Sequence, residues 1–261
     1  MPAFVSALTL MVFVGQTPSQ TAAPPLDLTC PQLSQALRGV ISNDARLRDW
    51  PQLARYRDQN RELAAPAAGE TRVVFMGDSI TDNWQQPRFG GFFPGKTYVD
   101  RGISGQTTPQ MLIRFRPDVV ELSPKVVVIL AGTNDIAGNT GPMTNEDIER
   151  NIQSMADLAK AHDIKVVLSS IMPTSAYHTQ PNGTPQTTQR PMDRIKAINT
   201  WMKDYADRNG HVYLDYFSAM VDSTGVMKAE LTGDDLHPTI DGYKIMAPLA
   251  EAAIQKALAG R

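Results

Sequence analysis

The sequence predicts an α/β fold in which a parallel sheet carries helices on both faces. Short apolar runs rich in β-branched residues recur along the chain, and helix-length segments separate them. This alternation is typical of parallel strands joined by right-handed helical crossovers. No segment repeats with a period of about 20 to 50 residues, so the pattern does not indicate a solenoid.

The predicted elements follow one another in chain order. The apolar runs that we interpret as strands are residues 72–76, 97–99, 125–130, 165–169 and 212–214. The third of these runs is apolar enough to predict a strand buried on both faces. Helices are predicted around residues 31–63, ahead of the first strand, and then at 109–122, 145–162, 191–209 and 241–258.

Composition indicates a soluble domain with a substantial core. Of the 261 residues, 42% are hydrophobic and 20% are charged. We predict one catalytic domain over residues 70–261, preceded over residues 26–69 by an N-terminal helical extension of undefined role. The net charge of −2 offers no basic surface for a phosphate backbone, so nucleic acid is not an expected partner. These features leave the oligomeric state open.

Residues 1–25 have the pattern of a signal peptide and a tether. Residues 1–15 are mostly apolar, and residues 16–25 are small, polar and proline-containing. The apolar run is shorter than the ~20 residues of a membrane span, so we expect no stable membrane partner. The signal-peptide pattern predicts a secreted or periplasmic location. No Lys or Arg precedes the run, and proline follows Ala22 and Ala23, which leaves a mis-assigned start or a membrane anchor as alternatives.

The segment 173–190 is longer than most connections in a compact domain. It is rich in Thr, Gln and Pro and follows the fourth predicted strand. It should therefore emerge at the carboxyl edge of the sheet, where open α/β folds bind ligands. We interpret this long loop as a substrate-facing rim.

Ser79 is the candidate nucleophile. It stands in Gly77-Asp78-Ser79-Ile80, directly after the first predicted strand, and should lie at the carboxyl edge of the sheet. Gly77 permits a close approach or an unusual backbone geometry at this turn. Serine is also a common helix N-cap, so the position alone leaves both interpretations open.

His237 is the candidate general base, and Asp234 is the carboxylate expected to orient it. A serine hydroxyl becomes a good nucleophile when an imidazole takes its proton, and a carboxylate fixes the tautomer of that imidazole. The three-residue gap between Asp234 and His237 lets the carboxylate fold back toward the ring. The adjacent Asp235 is then expected to face solvent or to cap the turn.

The turns after the second and third strands supply candidate oxyanion donors. Gly105 exposes a backbone amide in the first of these turns, and Asn134 carries a side-chain amide in the second. The backbone amide of Ser79 can point into the same cavity. Taken singly, the Gly105 turn also fits an ordinary strand-to-helix connection, and Asn134 also fits an Asx-turn or a cap.

These four segments, in order, resemble the sequence blocks of the GDSL or SGNH hydrolases, named for Ser, Gly, Asn and His. The blocks lie at residues 77–80, 102–107, 132–135 and 234–237, with Ile80 in place of the usual Leu. The resemblance extends from residue 72 to the C-terminal helix. It implies a three-layer α/β/α, flavodoxin-like SGNH hydrolase fold with a five-stranded parallel sheet. It also implies a triad of Ser79, Asp234 and His237 and an oxyanion hole formed by Ser79, Gly105 and Asn134.

The activity that this resemblance implies is a serine esterase that forms an acyl-enzyme and requires no metal or cofactor. We expect short-chain acetyl esters on carbohydrates, because amides bind sugar hydroxyls and aromatic rings stack on sugar faces. The candidate substrate-binding residues are Trp84, Tyr177 and His178. The family resemblance equally spans lysophospholipases, arylesterases and thioesterases. An acyltransferase and a non-catalytic carbohydrate-binding module are further alternatives.

Overall fold

The computed structural model describes residues 29–260. The chain divides into two compact units between Asp44 and Ala45, and helix α1 (Cys30–Arg48) crosses this division. The second unit contains the sheet and all the elements described below. The signal peptide and tether predicted over residues 1–25 lie outside the described residues.

This division differs from the boundary at residue 70 expected from the sequence. The hydroxyl of Tyr56 donates a hydrogen bond to the carbonyl of Gly102, at the end of the second strand. The carbonyl of Pro51 accepts one from Gln106 Nε2 at 2.7 Å. Residues from Ala45 onward therefore belong to the sheet-bearing unit, because their side chains and carbonyls complete the hydrogen bonds of its edge.

The sheet has five parallel strands in the order β2-β1-β3-β4-β5. Each overlaps a strand predicted from the sequence, which confirms the predicted α/β fold class. The strands are β1 (Val73–Gly77), β2 (Tyr98–Gly102), β3 (Val126–Ile129), β4 (Lys165–Ser169) and β5 (Val212–Leu214).

Helices flank the sheet, and the long ones begin within one residue of the positions predicted from the sequence. The short helices that follow β1, β3 and β5, and the one in the long loop, were not predicted. The predicted segment 31–63 forms two helices, and the predicted segment 109–122 forms a helix that ends after Pro117, followed by a 3-10 turn. The helices after α1 are α2 (Arg57–Glu62), α3 (Ser79–Trp84), α4 (Thr108–Asp118), α5 (Thr133–Ile136), α6 (Asn145–Ala161), α7 (Gln186–Gln189), α8 (Met192–Asn209), α9 (Tyr216–Met220) and α10 (Ile240–Leu258). Within the described residues, no helix is long and apolar enough to cross a membrane.

The sheet is the middle layer of three because both of its faces are buried. Successive side chains of a strand point to opposite faces. On one face of β1, Val74 and Met76 pack with residues of α4, α6 and α8. On the other face, Val73 and Phe75 pack with residues of α3 and α10. Two apolar cores therefore hold the sheet rigid between its helices.

The strand order creates a crevice at the carboxyl ends of β1 and β3. The chain places β2 on one side of β1 and then β3 on the other side, so the direction of winding switches at β1. In open α/β sheets, such a switch point is where ligands bind. Ser79 begins the helix after β1, and Asn134 lies in the helix after β3.

Candidate active site

Ser79 lies in a turn that leaves no room for larger residues. It is the first residue of α3, and the Asp78 side chain caps the helix by accepting a hydrogen bond from Ile80 N at 2.9 Å. A Cβ atom at Gly77 would come within 2.1 Å of Thr81 Oγ1. Only glycine therefore fits before the capping aspartate, and the turn holds Ser79 at the crevice.

The side chain of Ser79 contacts the predicted base, which lies 158 residues later in the sequence, and the base contacts the predicted carboxylate. Its Oγ lies 2.8 Å from His237 Nε2, and His237 Nδ1 lies 2.6 Å from Asp234 Oδ2. The other carboxylate oxygen of Asp234 accepts the backbone N–H groups of His237 at 2.7 Å and Leu236 at 3.1 Å. The short turn thus fixes the imidazole between the carboxylate and the hydroxyl.

Asp234 is held in its ionised form. Burial raises the pKa of its carboxyl, but the hydrogen bonds from the side chain and backbone of His237 outweigh this effect and lower the pKa to about 2. An ionised carboxylate on Nδ1 favours the tautomer that leaves Nε2 free to accept the serine proton.

The candidate oxyanion donors follow three adjacent strands. The turn at Gly105 has a positive φ of 81°, and Asn139 Nδ2 holds the Gly105 carbonyl at 3.0 Å. Asn134 is buried, and its Nδ2 donates to the Gln106 carbonyl at 3.0 Å. An amide nitrogen carries two N–H groups, so this bond leaves one of them available to a ligand.

Asp78 is buried directly beside Ser79 in the sequence and caps the helix that Ser79 begins. Burial raises the pKa of its carboxyl to about 6, although the Ile80 N–H and the nearby His237 and Arg190 side chains pull it down. Its Oδ1 is the helix cap, and Oδ2 has no hydrogen-bond partner in the described part of the chain. Residues 29–260 contain no group of three or more His, Cys, Asp and Glu side chains able to hold a metal ion.

The expectation that Asp235 faces solvent or caps its turn is wrong. Its side chain is fully buried rather than facing solvent, with a left-handed φ of 71°. It accepts hydrogen bonds from the long loop rather than capping its own turn. The donors are Ser175 Oγ at 2.7 Å, Tyr177 N and His178 N at 2.9 Å, Gln180 Nε2 at 3.0 Å and His178 Nδ1 at 3.1 Å. Asp235 therefore fastens the loop to the turn that carries Asp234 and His237.

Trp84, a candidate substrate-binding residue, is buried in the aromatic core instead. Only 4% of its surface is exposed, and its ring packs against Phe92, Phe93 and Tyr243 with centroids 4.8 to 5.8 Å apart. It lies at the end of α3, whose apolar face packs on the sheet. A stacking position toward a sugar is therefore excluded for this side chain.

Tyr177 and His178 do lie on the exposed side of the long loop. About half of the Tyr177 surface is exposed, and its hydroxyl donates to the Met227 carbonyl at 3.0 Å. The His178 ring is half exposed, with Nδ1 on Asp235. Both side chains are therefore available to a ligand, and the backbone N–H groups of both residues donate to Asp235.

Sequence reasoning missed Arg190, the last residue of the long loop. Its guanidinium is buried and donates to Thr133 Oγ1 at 3.0 Å, to Asn134 Oδ1 at 3.3 Å and to the side chain of Gln186. No local motif marks an arginine ahead of Pro191. Only the folded loop brings it to the turn after β3.

Comparisons with known proteins agree with this architecture. A model of the GDSL-like Lipase/Acylhydrolase family matches residues 75–245. The crystal structure of a GDSL-like lipase from Bacteroides thetaiotaomicron is 42% identical, with a TM-score of 0.73, and the match covers 79% of this chain and 98% of that one. An acetylxylan esterase from Geobacillus stearothermophilus is 23% identical over an alignment of 206 residues, and the match covers 67% of this chain and 90% of that protein.

A further match is shorter. An uncharacterized lipoprotein of Bacillus subtilis is 32% identical over 78 residues, which are 29% of this chain. The match spans about a third of that lipoprotein, 32% of its length.

The fold and its relatives define a carboxylic ester hydrolase. The family match covers most of the sheet-bearing unit and includes the turns that carry Ser79, Gly105, Asn134 and His237. The chain belongs to the GDSL-like lipase/acylhydrolase family, within the SGNH hydrolase superfamily. Enzymes of this class act on small-molecule ester substrates.

Proposed function

We propose that this hydrolase is a serine esterase that removes acetyl groups from carbohydrates, with Ser79, His237 and Asp234 as its triad. The observation that carries the catalytic part is the continuous hydrogen-bonded chain from Ser79 Oγ through both ring nitrogens of His237 to Asp234. Its two distances, 2.8 and 2.6 Å, lie within the reach required for proton transfer.

In the first step, Ser79 Oγ attacks the ester carbonyl carbon while its proton passes to His237 Nε2. The resulting imidazolium is stabilised by the ionised Asp234. When the tetrahedral intermediate collapses, the bond to the alcohol oxygen breaks and His237 gives its proton to that oxygen. The products of this step are the free alcohol and an acyl group on Ser79.

In the second step, water replaces the alcohol. His237 takes a proton from the water, whose oxygen attacks the acyl carbon, and then returns a proton to Ser79 Oγ as the carboxylic acid leaves. In both steps the carbonyl oxygen becomes negative. We assign the amides of Ser79 and Gly105 and the free N–H of Asn134 as its donors, because preorganised donors contribute most when charge develops.

The proposal of an acetylated carbohydrate rests on the loop and on one relative. The acetylxylan esterase of Geobacillus stearothermophilus matches this chain over 206 residues. The long loop offers the exposed Tyr177 ring and half-exposed His178, and it is joined to the catalytic turn through Asp235. An aromatic face beside polar groups suits a sugar ring better than a long acyl chain.

The triad is tested with Ser79→Ala. We expect turnover of p-nitrophenyl acetate to be lost, leaving at most the ~10³- to 10⁴-fold acceleration over water that remains when a serine-protease triad is broken. Ser154→Ala is the matched control, because that hydroxyl only donates to the Arg150 carbonyl on α6 at 2.8 Å. Near-normal turnover by Ser79→Ala would refute the triad.

The substrate class is tested with Tyr177→Ala against Tyr177→Phe. The alanine variant should raise KM for an acetylated xylo-oligosaccharide and spare hydrolysis of p-nitrophenyl acetate, whose leaving group is too small to reach the loop. The phenylalanine variant keeps the ring and removes only the hydroxyl, with its bonds to the Met227 carbonyl and to Asp222 Oδ2 at 3.4 Å. Equal losses on both substrates, or efficient cleavage of acyl chains beyond about eight carbons by the intact enzyme, would contradict the carbohydrate assignment.

We also propose a secreted or periplasmic location. The support is the apolar pattern of residues 1–15 and the similarity to a Bacillus subtilis lipoprotein. Fractionation of cells that produce the full chain tests this location. Enzyme confined to the cytoplasm would contradict it.

A further inference from the structure

Arg190 is a buried cation whose hydrogen-bond acceptors are all neutral. Only 5% of its surface is exposed, and among the described residues no carboxylate lies within ion-pair distance of its guanidinium. Burying a charge without an ion-pair partner is costly, so a buried cation of this kind calls for a specific role. The negative charges that act on it, those of Asp78 and Asp234, belong to the turn before Ser79 and to the proposed triad.

The guanidinium fixes the orientation of the Asn134 amide. Asn134 Oδ1 accepts from Arg190 Nη2 at 3.3 Å, and Asn134 Nδ2 donates to the Gln106 carbonyl at 3.0 Å. Rotating the amide by half a turn would place N–H groups against the cation and an oxygen against the carbonyl. Both contacts would then be repulsive, so one orientation is retained.

Arg190 also bridges two neighbouring residues in the turn after β3. Its Nε donates to Thr133 Oγ1 at 3.0 Å while Nη2 reaches Asn134. A planar guanidinium can make both bonds at once, whereas the single ammonium of a lysine cannot reproduce this fork. A cation on the amide oxygen further withdraws electron density from the nitrogen, which strengthens the remaining N–H as a donor.

We propose that Arg190 is a positioning residue that locks and polarises the Asn134 side chain as an oxyanion donor. This inference rests on the proposed function, because it requires a carbonyl oxygen that becomes negative near Asn134. It adds to that function a link between the long loop and the catalytic centre, since Arg190 ends the loop. Arg190 acts through Asn134, because its side chain is buried and its bonds go to Thr133, Asn134 and Gln186.

The test is a double-mutant cycle with Arg190→Gln and Asn134→Ala, measured on p-nitrophenyl acetate. Alone, Arg190→Gln should lower kcat by ~10- to 100-fold with KM nearly unchanged, because the lost stabilisation belongs to the transition state. In the Asn134→Ala background the same substitution should change kcat by less than about twofold, since its target is absent. Full additivity of the two losses, or a rise in KM without a fall in kcat, would overturn the proposal.

Arg194→Gln, in the first turn of α8, is the matched control. That guanidinium donates to Asn145 Oδ1 and the Met143 carbonyl, both at 2.9 Å, at the start of α6. We expect it to leave kcat unchanged. Circular dichroism and the melting temperature establish that each variant is folded, and Arg190→Lys takes the place of Arg190→Gln in the cycle if the latter does not fold. Ser79→Ala separates the two proposals, because its activity reports on the triad and not on Arg190.

Discussion

Replacing Asp235 with asparagine is the most direct perturbation of the link between the long loop and the catalytic turn. The two side chains have nearly the same shape, but asparagine has one acceptor oxygen where aspartate has two. Asp235 Oδ1 accepts three hydrogen bonds and Oδ2 accepts two. Whichever way the amide turns, its NH₂ group faces at least two donors.

The magnitude follows from the better of the two orientations. If the NH₂ group replaces Oδ2, the backbone N–H of His178 and the side chain of Gln180 lose their acceptor. A buried donor without a partner costs about 1 to 3 kcal/mol, and the remaining bonds lose the strength that the charge gave them. We therefore expect Asp235→Asn to lower the free energy of unfolding by about 2 to 4 kcal/mol. In a protein of this size, that corresponds to a fall of roughly 4 to 16 °C in melting temperature.

The assay is thermal unfolding at pH 7, with Asp215→Asn as control. Asp215 caps α9 by accepting from Ser218 N and Oγ, and asparagine is an equally good N-cap. The control should therefore melt close to the wild type. The same loosening should raise KM for an acetylated oligosaccharide, because Tyr177 and His178 lose their anchor. An Asp235→Asn protein that melts within about 2 °C of the wild type would refute the reasoning, since one uncompensated bond alone exceeds this shift.

Three further predictions follow from the same geometry. Asn134→Ala should lower kcat by ~10² to 10³ with little change in KM, measured on p-nitrophenyl acetate; a change confined to KM would contradict a role in the oxyanion hole. Trp84→Ala should destabilise the fold by about 3 to 5 kcal/mol in denaturant unfolding, yet leave KM of the folded enzyme unchanged, because the ring fills the core. Asp234 and Asp235 have pKa values lowered to about 2, so their contribution to stability is complete above the usual carboxyl range near ~4 and is lost as the pH falls toward 2. Melting temperatures between pH 5 and pH 2 check this, and Asp235→Asn should show a shallower acid decline than the wild type.

The sequence alone determined where the strands lie and which turns carry the chemistry. Buried parallel strands are continuous apolar runs, and this signal is local, so all the strands of the sheet could be read directly. The polar residues that follow these runs must gather at the carboxyl edge of a parallel sheet. For this reason the sequence predicts Ser79, Asn134 and His237 at one edge of the sheet, and the structure brings Ser79 and His237 into hydrogen-bond contact.

The tertiary structure decided what each neighbouring side chain does. Trp84 and Tyr177 are both aromatic residues near strand ends, but one packs into the core and the other lies on the surface. Asp234 and Asp235 are adjacent and chemically identical, yet the first contacts His237 and the second is buried under the long loop. The left-handed backbone at Asp235 turns its side chain away from that of its neighbour.

Of these residues, Arg190 is the one whose proposed role depends most on the fold. Its partners Thr133 and Asn134 are 57 and 56 residues away in sequence, and they meet it only because the long loop returns to the crevice. Periodicity and motifs indicate the local environment of a residue. They do not indicate a contact between residues that are far apart in the sequence. The sequence thus specified the sheet and the turns that follow its strands. Packing of the loop against those turns determined which polar groups form hydrogen bonds to them, because burial and hydrogen bonding are properties of the folded chain.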